Sequence, residues 1–260
     1  MEAETERERR TRRHQRTLFD GVAELYEASR RGYPDAIVEF VVSAAALGTG
    51  SEVLEVGCGT GQLTQRLARY ALDLTAIDIG PSMIAAARRR LAGPAVSFQV
   101  VSFEDFAAPD ASFDLIASGT AFHWVDPEVK FSKSARLLRV GGWLALLGTE
   151  EHYDDPLGSA LEGMWAARSD RGTWTRPAYA EVIAATGLFE EPVERAEAQR
   201  MVLPADVVVG VENTRAIVLS WPEDVRRAFT EELRHHLRSH PEIHLTQQTS
   251  LTMARVAKAR

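Results

Sequence analysis

A chain of 260 residues, 45% hydrophobic and 26% charged, has an ordinary globular composition and is long enough for one sizeable core plus insertions. Its formal net charge of −7 argues against a general nucleic-acid surface, because such binding rests on neutralising phosphates. The single cysteine, Cys58, excludes an internal disulfide and a thiolate-rich metal site, and no apolar run of about 18 residues predicts a membrane span.

Residues 1–17 mix Glu and Arg without an apolar face, which predicts a charged N-terminal tail, either a frayed, solvated helix or disorder. The alternating signs dilute the idea of a basic arm for RNA. The tail also lacks the apolar centre of a secretory signal, so a cytoplasmic protein is expected. From Leu18 onward one domain is expected over 18–260. Leu18, Val22 and Leu25 make a helical stripe, and Tyr26-Glu27-Ala28-Ser29-Arg30-Arg31-Gly32-Tyr33-Pro34 leads into an amphipathic helix that Gly48-Thr49-Gly50 stops.

Val53 to Val56 is a short apolar, β-branched run, the pattern of a buried parallel strand. It ends in the turn Gly57-Cys58-Gly59-Thr60-Gly61, after which Leu63, Leu67 and Tyr70 recur at helical spacing. Such a strand, glycine turn and helix form half of a βαβ unit that binds a nucleotide-like ligand at the strand's carboxyl end. Glu55 lies inside the strand, where an acid is costly to bury without a partner, and a ligand ammonium group would be one. Leu74 to Asp78 reads as the next strand, its acid about 21 residues beyond the first glycine, where a carboxylate would accept hydrogen bonds from ribose hydroxyls. The alternative for Asp78 is the cap of the following helix, which carries Pro81 in its first turn and Arg88, Arg89 and Arg90 on its outer face.

Further strands are predicted at Val96–Val101, Phe113–Ser118 and Trp143–Leu147, with a helix over Pro127–Leu138. From Thr149 the pattern turns polar, then helical, and a second helix ends at Gly187. Residues 194–203 supply a sixth strand, 205–239 helices broken at Trp221-Pro222, and the alternation from Ile243 to Val256 a last strand. His235, His236, His240 and His244 do not share a helical face with a carboxylate, so no metal is expected.

The segment Glu55-Val56-Gly57-Cys58-Gly59-Thr60-Gly61 resembles the first motif of the class I S-adenosylmethionine-dependent methyltransferases. Tyr26, Arg30, Tyr33 and Pro34, together with Ala121-Phe122-His123-Trp124, resemble a small-molecule subgroup of trans-aconitate type, although Arg31 stands where proline is usual. The resemblance implies an α/β fold with a Rossmann-like, seven-stranded, mostly parallel sheet and one antiparallel strand near the edge. Segments 18–47, 150–180 and 204–240 would form helical lids. It implies S-adenosyl-L-methionine as cofactor, with Glu55, Gly57 and Gly59 seating the methionine part, Asp78 the ribose, and Ile79 and Met83 flanking the adenine. Ser102 and Phe103 would read the adenine edge, although an acid usually stands at position 102. Tyr26 and the Ser118 backbone would complete that site.

His123 is either a general base, its ordinary pKa lying near operating pH, or a fixed hydrogen-bonding group. Arg30, Tyr33, Trp124, Arg176 and Arg215 are the expected acceptor contacts. Tyr33 could equally staple a helix junction, and Arg215 could be a surface arginine. The expected reaction is direct SN2 methyl transfer to a small organic acceptor, a carboxylate or an aromatic compound. An RNA methyltransferase and a repurposed donor-binding protein are the alternatives. No nucleic acid and no membrane are expected as partners, and the chain is read as a monomer or homodimer.

Overall fold

The structure, a computed structural model, describes residues 6–91, 96–154, 156–168 and 178–257. Its frame is one seven-stranded sheet in the order β3-β2-β1-β4-β5-β7-β6. The strands are β1 Glu52–Val56, β2 Asp73–Asp78, β3 Val96–Val100, β4 Phe113–Gly119, β5 Leu138–Tyr153, β6 Val193–Pro204 and β7 Glu242–Arg255. β1 to β5 pair in parallel, whereas β7 runs antiparallel to both β5 and β6. The expected Rossmann-like class and its antiparallel strand are therefore observed. Chain order reverses between β1 and β4, and the crevice of such a sheet opens at the carboxyl ends of those two strands.

Both faces of β1 are buried, which is why its sequence is apolar at successive positions. Val53 joins one core with Ile37, Val38 and Val41 of α3 (Asp35–Ala44) and with Leu63 and Leu67 of α4 (Gln62–Leu67). Leu54 and Val56 join the opposite core with Phe131 of α6 (Lys130–Leu137) and Ile183 of α8 (Tyr179–Thr186). Between β2 and β3, Ile84 and Ala87 of α5 (Pro81–Arg90) pack on Ala76 and Phe98.

One strand outruns its expected end. β5 was expected to stop at Leu147, but it continues to Tyr153, paired with β7 from Trp143↔Arg255 to Tyr153↔Leu245. The polar run Glu150-Glu151-His152 reads as a loop in sequence. The antiparallel partner satisfies its backbone, so polarity there does not end the strand. On this extension sits a helical layer of α7 (Leu157–Ala166), α9 (Ala205–Asn213), α10 (Ala216–Leu219) and α11 (Glu223–Leu237). Leu161, Val208, Phe229, Leu233 and Leu245 give that layer its own core.

The N-terminal segment also departs from expectation. Residues Glu6–Thr17 form α1, and the following chain makes a short 3-10 turn and α2 (Ala23–Ser29). Arg12 donates to the Trp124 carbonyl at 2.8 Å and pairs with Asp126 at 3.6 Å, while Arg16 pairs with Glu104 at 2.9 Å. Four residues apart, these two arginines share one helix face. The tail is thus a docked helix, held by charge where it has no apolar face.

Asp20 crosses to α5, its Oδ1 accepting from the backbone N–H groups of Ser82 at 2.7 Å and Met83 at 3.2 Å. It caps the helix for which Asp78 was one candidate. The arginine tract of α5 is also less solvated than expected, because Arg88 donates to the Phe98 carbonyl and Arg90 to the Glu27 carbonyl. Replacing Asp20 by Ala is expected to cost about 0.5–2 kcal/mol of stability, read from urea unfolding, by orphaning those two donors.

Candidate active site

The glycine turn after β1 is built by backbone conformations that side chains resist. Gly57 and Gly59 have φ of 70° and 54°. A Cβ on Gly57 would stand 2.4 Å from the Ala121 Cβ, so only glycine lets the turn pass beneath the end of β4. A Cβ on Gly59 would meet nothing within 4 Å, so the turn's outer side is open to a ligand.

Asp78, at the end of β2, closes against this turn. Its Oδ2 accepts from the Gly59 N–H at 2.9 Å and its Oδ1 from the Gly80 N–H at 2.8 Å. Burial pushes its pKa up, and those backbone donors pull against the rise. Ile79 is half-buried beside it, and Met83 is buried one helical turn on. Glu55 is 1% exposed with its Oε2 lacking a hydrogen-bond partner. Burial pushes its carboxyl up to about 8, against the opposing pull of Thr64. Tyr26 of α2 is also brought here. Burial pushes its phenol pKa up against the pull of Arg30, whose guanidinium stands 5.5 Å from the ring centroid.

The two adenine-edge residues are arranged otherwise than expected. Ser102 donates its hydroxyl to Asp105 Oδ2 at 2.6 Å and accepts from the Asp105 N–H at 3.1 Å, a closed local box that commits its proton. The Phe103 ring is buried against Phe122 with the Lys133 ammonium 5.4 Å from its centroid, so the ring belongs to the core. Ser118 lies within β4 and donates to the Val56 carbonyl at 2.7 Å, tying β4 to β1.

Beyond the turn, a small cleft at the ends of β4 and β5 is lined by Thr120, Ala121, His123, Leu147, Gly148, Thr149 and Tyr179. Its link to the glycine turn is Ala121. Thr120 holds a φ of 54°, rare for a β-branched residue, and shares a 3.1 Å hydrogen bond with the Tyr33 hydroxyl. Tyr33 lies over Gly119, where any Cβ would come within 2.3 Å of its oxygen. His123 and Trp124 stack with centroids 4.5 Å apart, and Phe19 meets Trp124 edge-on at 5.9 Å. Trp124 thus packs between Phe19 of the N-terminal segment and His123.

The arginines expected to meet an acidic acceptor are held differently. Arg215 donates through Nε to both oxygens of Glu212 at 2.9 Å and through Nη2 to Glu151 at 3.1 Å. Arg30 donates to Thr214 at 3.0 Å and pairs with Glu151 at 3.5 Å. Glu212 is fully buried and also accepts from the Tyr153 hydroxyl at 2.8 Å. Burial would raise the Glu151 pKa, but Arg30 and Arg215 outweigh it and hold that pKa low, and the two glutamates hold Arg215 firmly charged. The expectation that Arg215 reaches for substrate is corrected accordingly: two carboxylates already match the two guanidinium groups. Arg176 lies outside the described residues.

Asp20, Glu151, Thr120, Thr149 and Tyr179 were not singled out from sequence. Only Glu212 and Arg215 carried a local signal, since a three-residue spacing on a helix makes an ion pair. No cluster of His, Cys, Asp and Glu among the described residues could hold a metal ion, and no described helix is long and apolar enough to cross a membrane.

Comparison with known proteins agrees with this geometry. Residues 54–146 match the family model described as a methyltransferase domain. An uncharacterized methyltransferase of Mycobacterium tuberculosis is 28% identical over 242 residues, covering 89% of this chain and 90% of the relative. A ubiquinone biosynthesis O-methyltransferase of Xanthomonas axonopodis is 39% identical over 109 residues, 40% of this chain and 46% of the relative. A solved methyltransferase-fold chain from Anaeromyxobacter dehalogenans superposes with a TM-score of 0.61 at 23% identity, covering 87% of this chain and 97% of the other. The protein is an S-adenosylmethionine-dependent methyltransferase, and S-adenosylmethionine is its cofactor.

Removing Glu212 would leave the half-buried Arg215 short of one of its two counter-ions. Glu212→Ala is expected to lower unfolding free energy by about 3–5 kcal/mol in a urea titration, the range found when a buried pair loses one partner.

Proposed function

We propose that this enzyme transfers the methyl group to a small, neutral acceptor bearing a hydroxyl group, seated in the cleft at the ends of β4 and β5. The observation that carries this reading is the cleft's lining. Among the described residues that lining carries no Asp, Glu, Lys or Arg: Thr120, Thr149, His123 and Tyr179 stand among Ala121, Leu147 and Gly148. The guanidinium groups of Arg30 and Arg215 are matched by Glu151 and Glu212, so these two do not favour an anionic acceptor. The O-methyltransferase relative is consistent with an oxygen acceptor.

In this reading Gly57, Gly59 and Glu55 hold the methionine part of the cofactor and Asp78 its ribose, with Ile79 and Met83 beside the adenine. Tyr26 closes over them. The bound cofactor supplies an electrophilic methyl group on a sulfonium. What the chain supplies is alignment and the exclusion of water, which account for most of the rate in such transfers. A neutral hydroxyl must lose its proton as it attacks, and in this reading His123, which lines the cleft, accepts it. Tyr33, through Thr120, shapes the same wall.

Two measurements test this. S-adenosylhomocysteine is expected to bind the native protein in a calorimetric titration and to bind Asp78→Ala at least tenfold more weakly. With labelled donor, neutral phenols and alcohols are expected to acquire label and simple carboxylates to remain unlabelled. His123→Gln should then reduce the rate by about 10²–10⁴, with donor binding retained. Labelling of carboxylates alone would overturn the neutral-acceptor reading.

A further inference from the structure

The polar atoms beneath the glycine turn do not balance. Glu55 Oε2 is buried without a hydrogen-bond partner, and so is Gln62 Nε2 across the turn. Both side chains are buried, Glu55 at 1% and Gln62 at 7% exposure. Gln62 has satisfied only its oxygen, which accepts from the Thr60 hydroxyl at 3.0 Å.

Among the described residues no cation acts on Glu55. From α4, the Thr64 side chain and backbone N–H hydrogen-bond to it and oppose the rise of its pKa without outweighing burial; from β2 the charge that acts on it is Asp78, an acid; and in the turn burial first, then Glu55, raises the pKa of the Cys58 thiol. On the β4 side the neighbouring polar group is the Ser118 hydroxyl, committed to the Val56 carbonyl. A buried carboxylate with an orphan oxygen and an acid nearby is unfavourable, and such a group avoids the cost by keeping its proton.

We propose that Glu55 is a neutral acid in the unliganded enzyme and that the ammonium group of the donor's amino-acid end displaces its proton on binding. The proposal rests on the donor seat described above and adds a function to it. The exchange balances simply: the carboxyl O–H breaks, the carboxylate faces the incoming ammonium, and the proton passes to the buffer. The raised value of about 8 for Glu55 sets the window. Below that pH each binding event must release a proton, so affinity climbs as pH rises, by up to tenfold per unit, and levels off once Glu55 is already ionised. The site would then select ligands by charge as well as shape. A donor fragment without the ammonium has no means to ionise Glu55 and binds with no proton traffic.

The test uses the whole protein and no acceptor. S-adenosylhomocysteine is titrated calorimetrically at pH 6.5 in two buffers of different ionisation enthalpy, and the difference in heat counts the protons released. Close to one proton is expected, falling toward zero at pH 9. 5′-Methylthioadenosine, which keeps the nucleoside and lacks the amino-acid end, should release none. Glu55→Gln should bind S-adenosylhomocysteine with no release and no pH dependence between 6 and 8.

Three results would overturn the proposal: no release with the native protein, equal release with 5′-methylthioadenosine (which would assign the proton to Asp78), or undiminished release from Glu55→Gln. If that variant fails to fold, the comparison of the two ligands on native protein decides alone. Failure of S-adenosylhomocysteine to bind at all would instead remove the donor seat itself, and with it this proposal.

Discussion

Two guanidinium groups lie where the N-terminal segment, the overrunning end of β5 and the helical layer converge, and each requires a carboxylate in contact. Arg30 comes from just after α2, Glu151 from β5, Glu212 from the end of α9 and Arg215 from the entry to α10. An ion withdrawn from water in this way is tolerated only with a partner close by and its remaining donors satisfied. Glu151 is the shared carboxylate, so losing it would leave Arg30 without a counter-ion among the described residues and tie the three segments less closely together. The extended ladder of β5 with β7 delivers Glu151 and Tyr153 to that junction.

The donor half of the site is local in sequence, and for that reason legible. A strand, a turn requiring positive φ and an acid at the end of the next strand each leave a short-range mark, and Gly57, Gly59 and Asp78 do lie together. The seven-stranded, mostly parallel sheet was implied by the family resemblance, and the strand order came only with the structure. What sequence could not show was pairing between distant charges. Arg215 read as a free cation because Glu151 is 64 residues away, although Glu212 three residues before it was a readable clue. Glu150 and Glu151 looked like loop residues because the strand that pairs with them arrives almost at the chain's end. The docking of the first helix was not legible for a related reason: its partners Glu104 and Asp126 lie in loops whose position depends on the finished sheet.

The acceptor side left almost no mark. Thr120 carries a left-handed backbone with a branched side chain, a costly conformation that persists only where surroundings enforce it. Tyr33 from one side and the Leu147 carbonyl from the other provide that enforcement. Propensity cannot reveal such a residue, since the structure overrides what its type prefers.

Asp20 connects the beginning of the chain to the first turn of α5 across 62 positions. The amide hydrogens of Ser82 and Met83 have acceptors only while the N-terminal segment is docked. Local opening of that segment would expose those two amides to exchange with solvent while leaving the interior of β1 and β4 protected. The helix flooring the proposed nucleoside seat therefore carries its own report of whether the segment above it is in place.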